Sequence, residues 1–386
     1  MNDLHNHNIV FQKDEFLHDL EALVNIDSGS HDIEGLNSVA DFLCKKYESI
    51  GLKPIRKTQG ASNRPFVELY THPDASEIDL LFLGHMDTVF EKGTVSQRPF
   101  RISEDGHWAY GPGVADMKAG DLLTFHLLRV LRKLCPQLKI CVCHNSDEEI
   151  GSGDSAQAMQ AIASKCRYSF VMEPGRPGGH FVYQRKGAVD IRVSCHGIAA
   201  HAGNAPQEGA SAILEMTHII QKMQALTNYE TGFTVSAGLI SGGSAANVIP
   251  DSCEAVFDVR CTDTAQLTEL EEALRALCQN PFVPRTTVSW EKLSQMPPMK
   301  ATEKTKILVE LLQSEAARLS LQPEFLSVGG ASDGSLLAAA GCAVIDGCGP
   351  EGDKLHSADE ILRIDSIEER FRLLLSAIQK LPDIQT

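Results

Sequence analysis

No C-x-x-C pair occurs in the 386-residue sequence, although it holds eleven cysteines. An odd number without paired spacing argues against a disulfide framework and against a thiolate zinc knuckle. Cys141, Cys143, Cys195 and Cys342 lie inside strand-like apolar runs and read as reduced, buried thiols of a cytoplasmic protein. No apolar run approaches the roughly 18 residues of a membrane span. The start, MNDLHNHNIVFQKDEF, lacks the basic and apolar segments of a secretory leader, so none is expected. Basic residues are scarce too: 35 Lys and Arg against 51 Asp and Glu leave a formal charge of −16. That balance argues against nucleic acid and anionic membranes as partners, since both need basic patches. The Gly-rich stretch GGASDGS is followed by no Gly-Lys-Ser/Thr and is not a P-loop.

The chain does contain enough for a sizeable core, with 43% hydrophobic and 22% charged residues in the ordinary globular range. Its length suggests two or three domains. Helical periodicity is expected over 13–24 and 33–49, the second run stopped by Gly51 in a left-handed cap. Strands at 67–71, 80–84, 139–143 and 168–172 alternate with helices at 121–134 and 155–164, and a hairpin turns at 104–106. This rhythm predicts an α/β fold: a mixed, largely parallel sheet with helices on both faces. From 187 the order becomes strand, helix, strand, strand, helix, strand, the ferredoxin-like pattern of an α+β domain. After QMPPM the first rhythm returns. We therefore expect one discontinuous domain made of 1–186 and 297–386, with a second domain inserted at 187–296.

Ligands of open α/β sheets collect at the carboxyl ends of strands. Here those ends carry His85 and Asp87, then Asp116, then Asp147, Glu148 and Glu149, then Glu173, and finally His356. Each has a plain alternative: Asp116 could cap the following helix, and DEE could be a solvated turn. Acidic groups converging on one edge repel unless cations lie between them. Imidazole and carboxylate without thiolate is a donor mixture suited to catalytic zinc. Two Zn²⁺ supply four positive charges, which three ligating carboxylates and one bridging hydroxide would cancel.

GHMDTVF, YGPGVADMKAG, NSDEEIGS, MEPG, HAGNAP and LHSADE, in this order, resemble the motif series of the co-catalytic zinc family of glutamate carboxypeptidases, aminoacylases and related deacylases. The match runs from about residue 80 to the C-terminus. The resemblance implies that His85 and Glu173 bind one zinc, that Glu149 and His356 bind the other, and that Asp116 bridges them together with a water or hydroxide. It implies Glu148 as general base, Asp87 as the partner that orients His85, and a cis peptide after Asp116. His201 would stabilise the oxyanion, commonly from the neighbouring subunit of a dimer. Asn247 and Arg260 would hold a substrate carboxylate, and Gly330 lies in a loop matching a substrate-side loop of the family. By residue pattern alone, Arg260 could equally be an exposed strand residue.

The expected activity is hydrolysis of an amide to release a C-terminal or N-acylated amino acid, with glutamate or another acidic or polar residue favoured. The alternatives are a deacylase removing acetyl or succinyl groups, and a silent dimeric binding protein of the same fold. The resemblance makes the first domain catalytic and the inserted one a lid, and the expected partners are a small peptide or N-acyl amino acid substrate and a second copy of the chain through that lid.

Overall fold

The computed structural model describes residues 10–381. The first nine residues, which include part of the segment inspected for a leader, and the last five lie outside them. The chain forms two compact units. One comprises residues up to Gln184 with Ala301–Ser327 and 332 onward; the other is Arg185–Lys300 with Val328–Ala331. The segment 328–331 joins the second unit through Lys186 N–H to Val328 O, 3.1 Å, and Arg185 Nη1 to Gly330 O, 3.1 Å.

The first unit is built on a six-stranded sheet in the order Ile55–Gln59, Arg64–Tyr70, Ile140–Asn145, Ile78–His85, Cys166–Val171, Ala343–Ile345. The last four run parallel, and the first two complete one side antiparallel. Ile78–His85 is central and buried at every position but Asp79, as expected of a strand covered on both faces. Helices cover the sheet; Ala119–Leu134, with its Leu-rich buried side, packs on this strand. Close packing there depends on Gly84, where a Cβ would stand 2.0 Å from Asp121 Oδ1. Asp121 Oδ1 lies 2.8 Å from His144 Nδ1, and His144 Nε2 lies 2.8 Å from the Tyr47 hydroxyl, so a polar chain runs through the core.

Parallel register brings strand ends together. His85 lies opposite Asn145, and Leu83 opposite Val171. The residues that follow, in the 146–149 turn and at Met172–Glu173, therefore leave the sheet at the same edge.

In the second unit, four antiparallel strands are ordered Thr234–Gly242, Ser252–Cys261, Gly187–His196, Thr287–Met296, the ferredoxin-like arrangement. Gly187–His196 alternates buried and half-buried residues, which leaves one face for Ala212–Gln224 and Thr264–Gln279. Val189, Ile191, Val193, Phe257 and Val259 fill that face. Ser211 and Asp263 cap the two helices, accepting from Leu214 N and Ala265 N. Among the described residues, no helix is long and apolar enough to cross a membrane.

Candidate metal centre

Asp116 stands between two imidazoles. Its Oδ1 is 3.2 Å from His85 Nε2, and its Oδ2 is 3.2 Å from His356 Nε2. Glu173 Oε1 lies 3.6 Å from His85 Nε2, and Glu149 Oε2 lies 3.2 Å from His356 Nε2. Ligand-capable atoms of His85, Glu148 and Glu173 fall within 4.8 Å of one another, as do those of His85, Asp116 and Glu149. The structure thus gathers His85, Asp116, Glu148, Glu149, Glu173 and His356 from five separate segments of the first unit.

Local structure aims each of them. His85 closes the central strand. The Asp116–Met117 peptide is cis, as the resemblance implies, and both residues depart from helical angles before Ala119–Leu134 begins. Glu148 and Glu149 occupy a single 3-10 turn after the strand Ile140–Asn145. His356 has φ +60, a left-handed conformation that histidine adopts more readily than most residues. Its loop is held by Ser357 Oγ donating to Lys354 O, 2.6 Å.

Asp87 has more than one task. His85 Nδ1 lies 3.0 Å from the Asp87 carbonyl oxygen and 3.4 Å from its carboxylate, so the backbone oxygen is the nearer orienting group. The carboxylate accepts from Ser30 Oγ at 2.7 Å and from the Glu148 and Glu149 N–H groups at 3.2 Å each. It therefore fastens the turn that presents both glutamates.

Further supports belong to residues that strand-end reasoning missed. The buried Glu360 carboxylate accepts from Gly113 N, Ala115 N and Asp116 N at 2.9–3.0 Å, which fixes the approach to Asp116. Asp333 accepts from Asn145 Nδ2 at 2.6 Å and from Ser152 Oγ, bracing both ends of the glutamate turn. Glu360 was visible in LHSADE and Asp333 in GGASDGS; nothing in the spacing revealed their backbone and side-chain partners.

The electrostatics show the strain of packing acids together. Burial, then the charge of Asp116, pushes Glu173 up to about 8 despite His85 beside it. Burial and the Glu173 carboxylate raise Glu148 well above its ordinary value. His356 is pushed up to about 10 by hydrogen bonds to Asp116 and Glu149. Burial opposes a charge on His85, but hydrogen bonds to Asp116, Asp87 and Glu173 outweigh it and raise the imidazole. Protons are held where negative charge is concentrated, which is what cations would relieve. The donor set is nitrogen and oxygen only, with one oxygen of Asp116 facing each imidazole. It fits a pair of divalent ions of the zinc type, although hard carboxylates suit manganese as well.

His201, Asn247, Arg260 and Gly330 belong to the second unit. His201 Nδ1 accepts from Gly203 N and Asn204 N, both at 3.1 Å, so in the neutral ring the proton sits on Nε2. The backbone oxygen of Asn247 accepts from Ala202 N, 2.9 Å, beside the His201–Val248 pairing. Arg260 is half-buried and its fork is engaged by Asp258, with Nε 3.0 Å from both oxygens and Nη2 2.7 Å from one. Gly330 is exposed and presents its carbonyl to Arg185.

Comparison with known proteins places this geometry in context. Residues 81–380 match the model of "Peptidase family M20/M25/M40". The chain is 28% identical over 370 residues to carboxypeptidase G2 of Pseudomonas sp. (strain RS-16), covering 94% of this chain and 88% of that protein. It is 26% identical over 320 residues to succinyl-diaminopimelate desuccinylase of Halorhodospira halophila, covering 78% and 82%. Among solved structures, aminopeptidase PepT of Bacillus cereus superposes with a TM-score of 0.78 at 21% identity, covering 96% of this chain and 99% of that one. At that identity the superposition shows the shared fold.

Proposed function

Because the chain belongs to peptidase family M20/M25/M40, we propose that it is a two-metal amide hydrolase of the glutamate carboxypeptidase type. It would release a C-terminal or N-acylated amino acid, glutamate or another acidic or polar one. The observation that carries this reading is Asp116, one oxygen facing each imidazole, with Glu173 and Glu149 on either side. Likeness to carboxypeptidase G2 over most of both chains supports a carboxypeptidase reading.

In this reading His85 and Glu173 would hold one zinc, Glu149 and His356 the other, with Asp116 shared between them, and the ions would supply Lewis acidity to the site. Glu148, raised by its burial and by Glu173, takes the proton of the attacking water and passes it to the leaving nitrogen. Asp87, Glu360 and Asp333 keep the carboxylates from moving as that proton is transferred. His201 donates from Nε2 to the oxyanion, since its Nδ1 is already occupied by two N–H groups. Arg260, Asn247 and the Gly330 loop receive the substrate's carboxylate, Arg260 exchanging part of its bonding to Asp258 for it.

We infer a homodimer through the second unit, and its edge strand supports this: among the described residues Thr234–Gly242 pairs on one side only and exposes Leu239 and Ile240, an open apolar edge suited to a second copy. A cytoplasmic location accords with eleven free thiols. Removal of acetyl or succinyl groups is the second reading, favoured by the desuccinylase likeness. A silent binding role is disfavoured, because the candidate base and every candidate ligand converge.

The test is a panel of N-acyl amino acids and dipeptides assayed with Zn²⁺. Glu148→Gln should keep its metal content and lose about 100-fold to 10,000-fold in kcat. Near-normal turnover of that variant would remove Glu148 as the proton carrier.

A further inference from the structure

A cavity of about 500 Å³ opens in the first unit beside the metal centre, with Gly29, Val89, Phe90, Lys92, Glu149 and Ile150 on its walls. We infer that it is the subsite for the acyl group of the substrate, and that it takes an uncharged apolar acyl group and rejects one bearing a second carboxylate. The inference rests on the amide-hydrolase reading. There the groups proposed for the amino-acid carboxylate all belong to the second unit, so the acyl side of the scissile bond is left to the first.

The cavity is built, not incidental. Its floor is the Gly29–Thr88 bridge, tied by Ser30 N to Thr88 O at 3.2 Å and Thr88 N to Ser28 O at 2.9 Å. A Cβ on Gly29 would stand 2.2 Å from Phe90 O, so the two segments touch as closely as glycine allows. Ser30 Oγ then bonds Asp87, which holds the Glu148–Glu149 turn. The floor is thus fixed relative to the reacting centre, and Glu149 belongs to both.

The walls define the chemistry. Val89 is 41% and Ile150 48% exposed, large apolar side chains open to whatever enters, and half-buried Phe90 also lines the cavity. The rim charge is unfavourable for an anion. Lys92 is already paired with Asp32 at 3.4 Å and Glu34 at 2.9 Å, and Glu91 and Asp32 leave negative charge in excess on the rim. An aromatic acyl group gains from burying its ring against Val89 and Ile150. A succinyl group would bring a carboxylate next to carboxylates and find no free cation on Lys92.

The experiment compares benzoyl, acetyl and succinyl groups on whichever amino acid the Zn²⁺ panel selects. The expected order in kcat/KM is benzoyl, acetyl, succinyl, with about 10-fold or more between the first and last. Val89→Lys and Ile150→Lys, made separately, should each lower the benzoyl-to-succinyl ratio, and two variants guard against one that folds poorly. Hydrolysis of all three within twofold of one another, or succinyl fastest, overturns the subsite and leaves the hydrolase reading intact. Hydrolysis of none, with metal bound, overturns that reading and the subsite with it. Unchanged ratios in both folded variants also overturn the subsite.

Discussion

The two units treat charge in opposite ways. The first buries Asp116 and Glu173 against His85 and sets Glu148 and Glu149 beside them, at the end of a parallel sheet. The second buries Glu215, satisfied by Phe282 N, Val283 N and Thr286 Oγ, and leaves His201 and Asn247 exposed and Arg260 half-buried. Sheet geometry accounts for the contrast. Parallel strands deliver their carboxyl ends to one edge, so acids from distant segments crowd together and need cations. Antiparallel strands alternate direction, so polar residues come from a loop and from the open face, singly and solvated. The proposed division of labour follows: ions and proton transfer in one unit, recognition and an oxyanion donor in the other.

The sharpest way to break this division is to remove one histidine from each unit and compare metal with rate. His356→Ala takes away a nitrogen that faces Asp116 and Glu149, and metal affinity should fall more than about 100-fold, since even partners behind a ligand are worth 10-fold to 100-fold. His201→Ala should bind metal as the parent does and lose about 100-fold to 1000-fold in kcat. Titration with Zn²⁺ and steady-state kinetics separate the two. Metal loss in His201→Ala, or full affinity in His356→Ala, contradicts the division.

Arg260 offers a smaller effect. Arg260→Met removes the guanidinium, and hydrogen bonds to charged groups are worth about 1.5–3 kcal/mol, so KM should rise about 10-fold to 100-fold with kcat little changed. Its ion pair with Asp258 sharpens the test. Asp258→Asn frees the fork and should lower KM. A rise in that variant means that Asp258 orients Arg260 for substrate and does not compete with it.

How much of this was legible in the sequence depends on the kind of signal. Helices at Lys13–Val24 and Ile33–Ser49 stand where apolar periodicity puts them, because each has one buried side. The strand Ile55–Gln59 escaped notice: IRKTQ is polar and exposed, formed only because it pairs with Arg64–Tyr70. His85, Glu149 and Glu173 could be read from strand ends because a parallel sheet makes strand ends neighbours, whereas Asp116 and His356 follow Trp108–Tyr110 and Gly352–Asp353 of a separate antiparallel sheet. The groups that brace them could not. Asp333 meets Asn145 across 188 positions, and Glu360 meets backbone N–H groups 244 to 247 positions away, which no local pattern encodes. The reading of Asp87 was incomplete for the same reason, because its carboxylate serves Ser30 and two backbone N–H groups besides His85.

The smallest predicted effect concerns a carboxylate of the first unit that has no place in the chemistry. Glu315 is buried in Glu303–Arg318, accepts from Ser376 Oγ at 2.5 Å and pairs with Lys380 and Arg318. Burial alone would raise its pKa, but the Lys380 and Ser376 hydrogen bonds outweigh that and lower it. A depressed folded-state pKa means stability that is fully present above the unfolded value, about 4.3, and lost as pH falls through the folded one. Lys380→Met should therefore cost about 1–3 kcal/mol at pH 7, and the gap to the parent should narrow as the medium is acidified below about pH 4. Urea unfolding at a series of pH values measures it, with metal titration as a control that should not move. A gap that stays constant into acid would mean that Lys380 acts through the packing of its stem and not through its charge on Glu315.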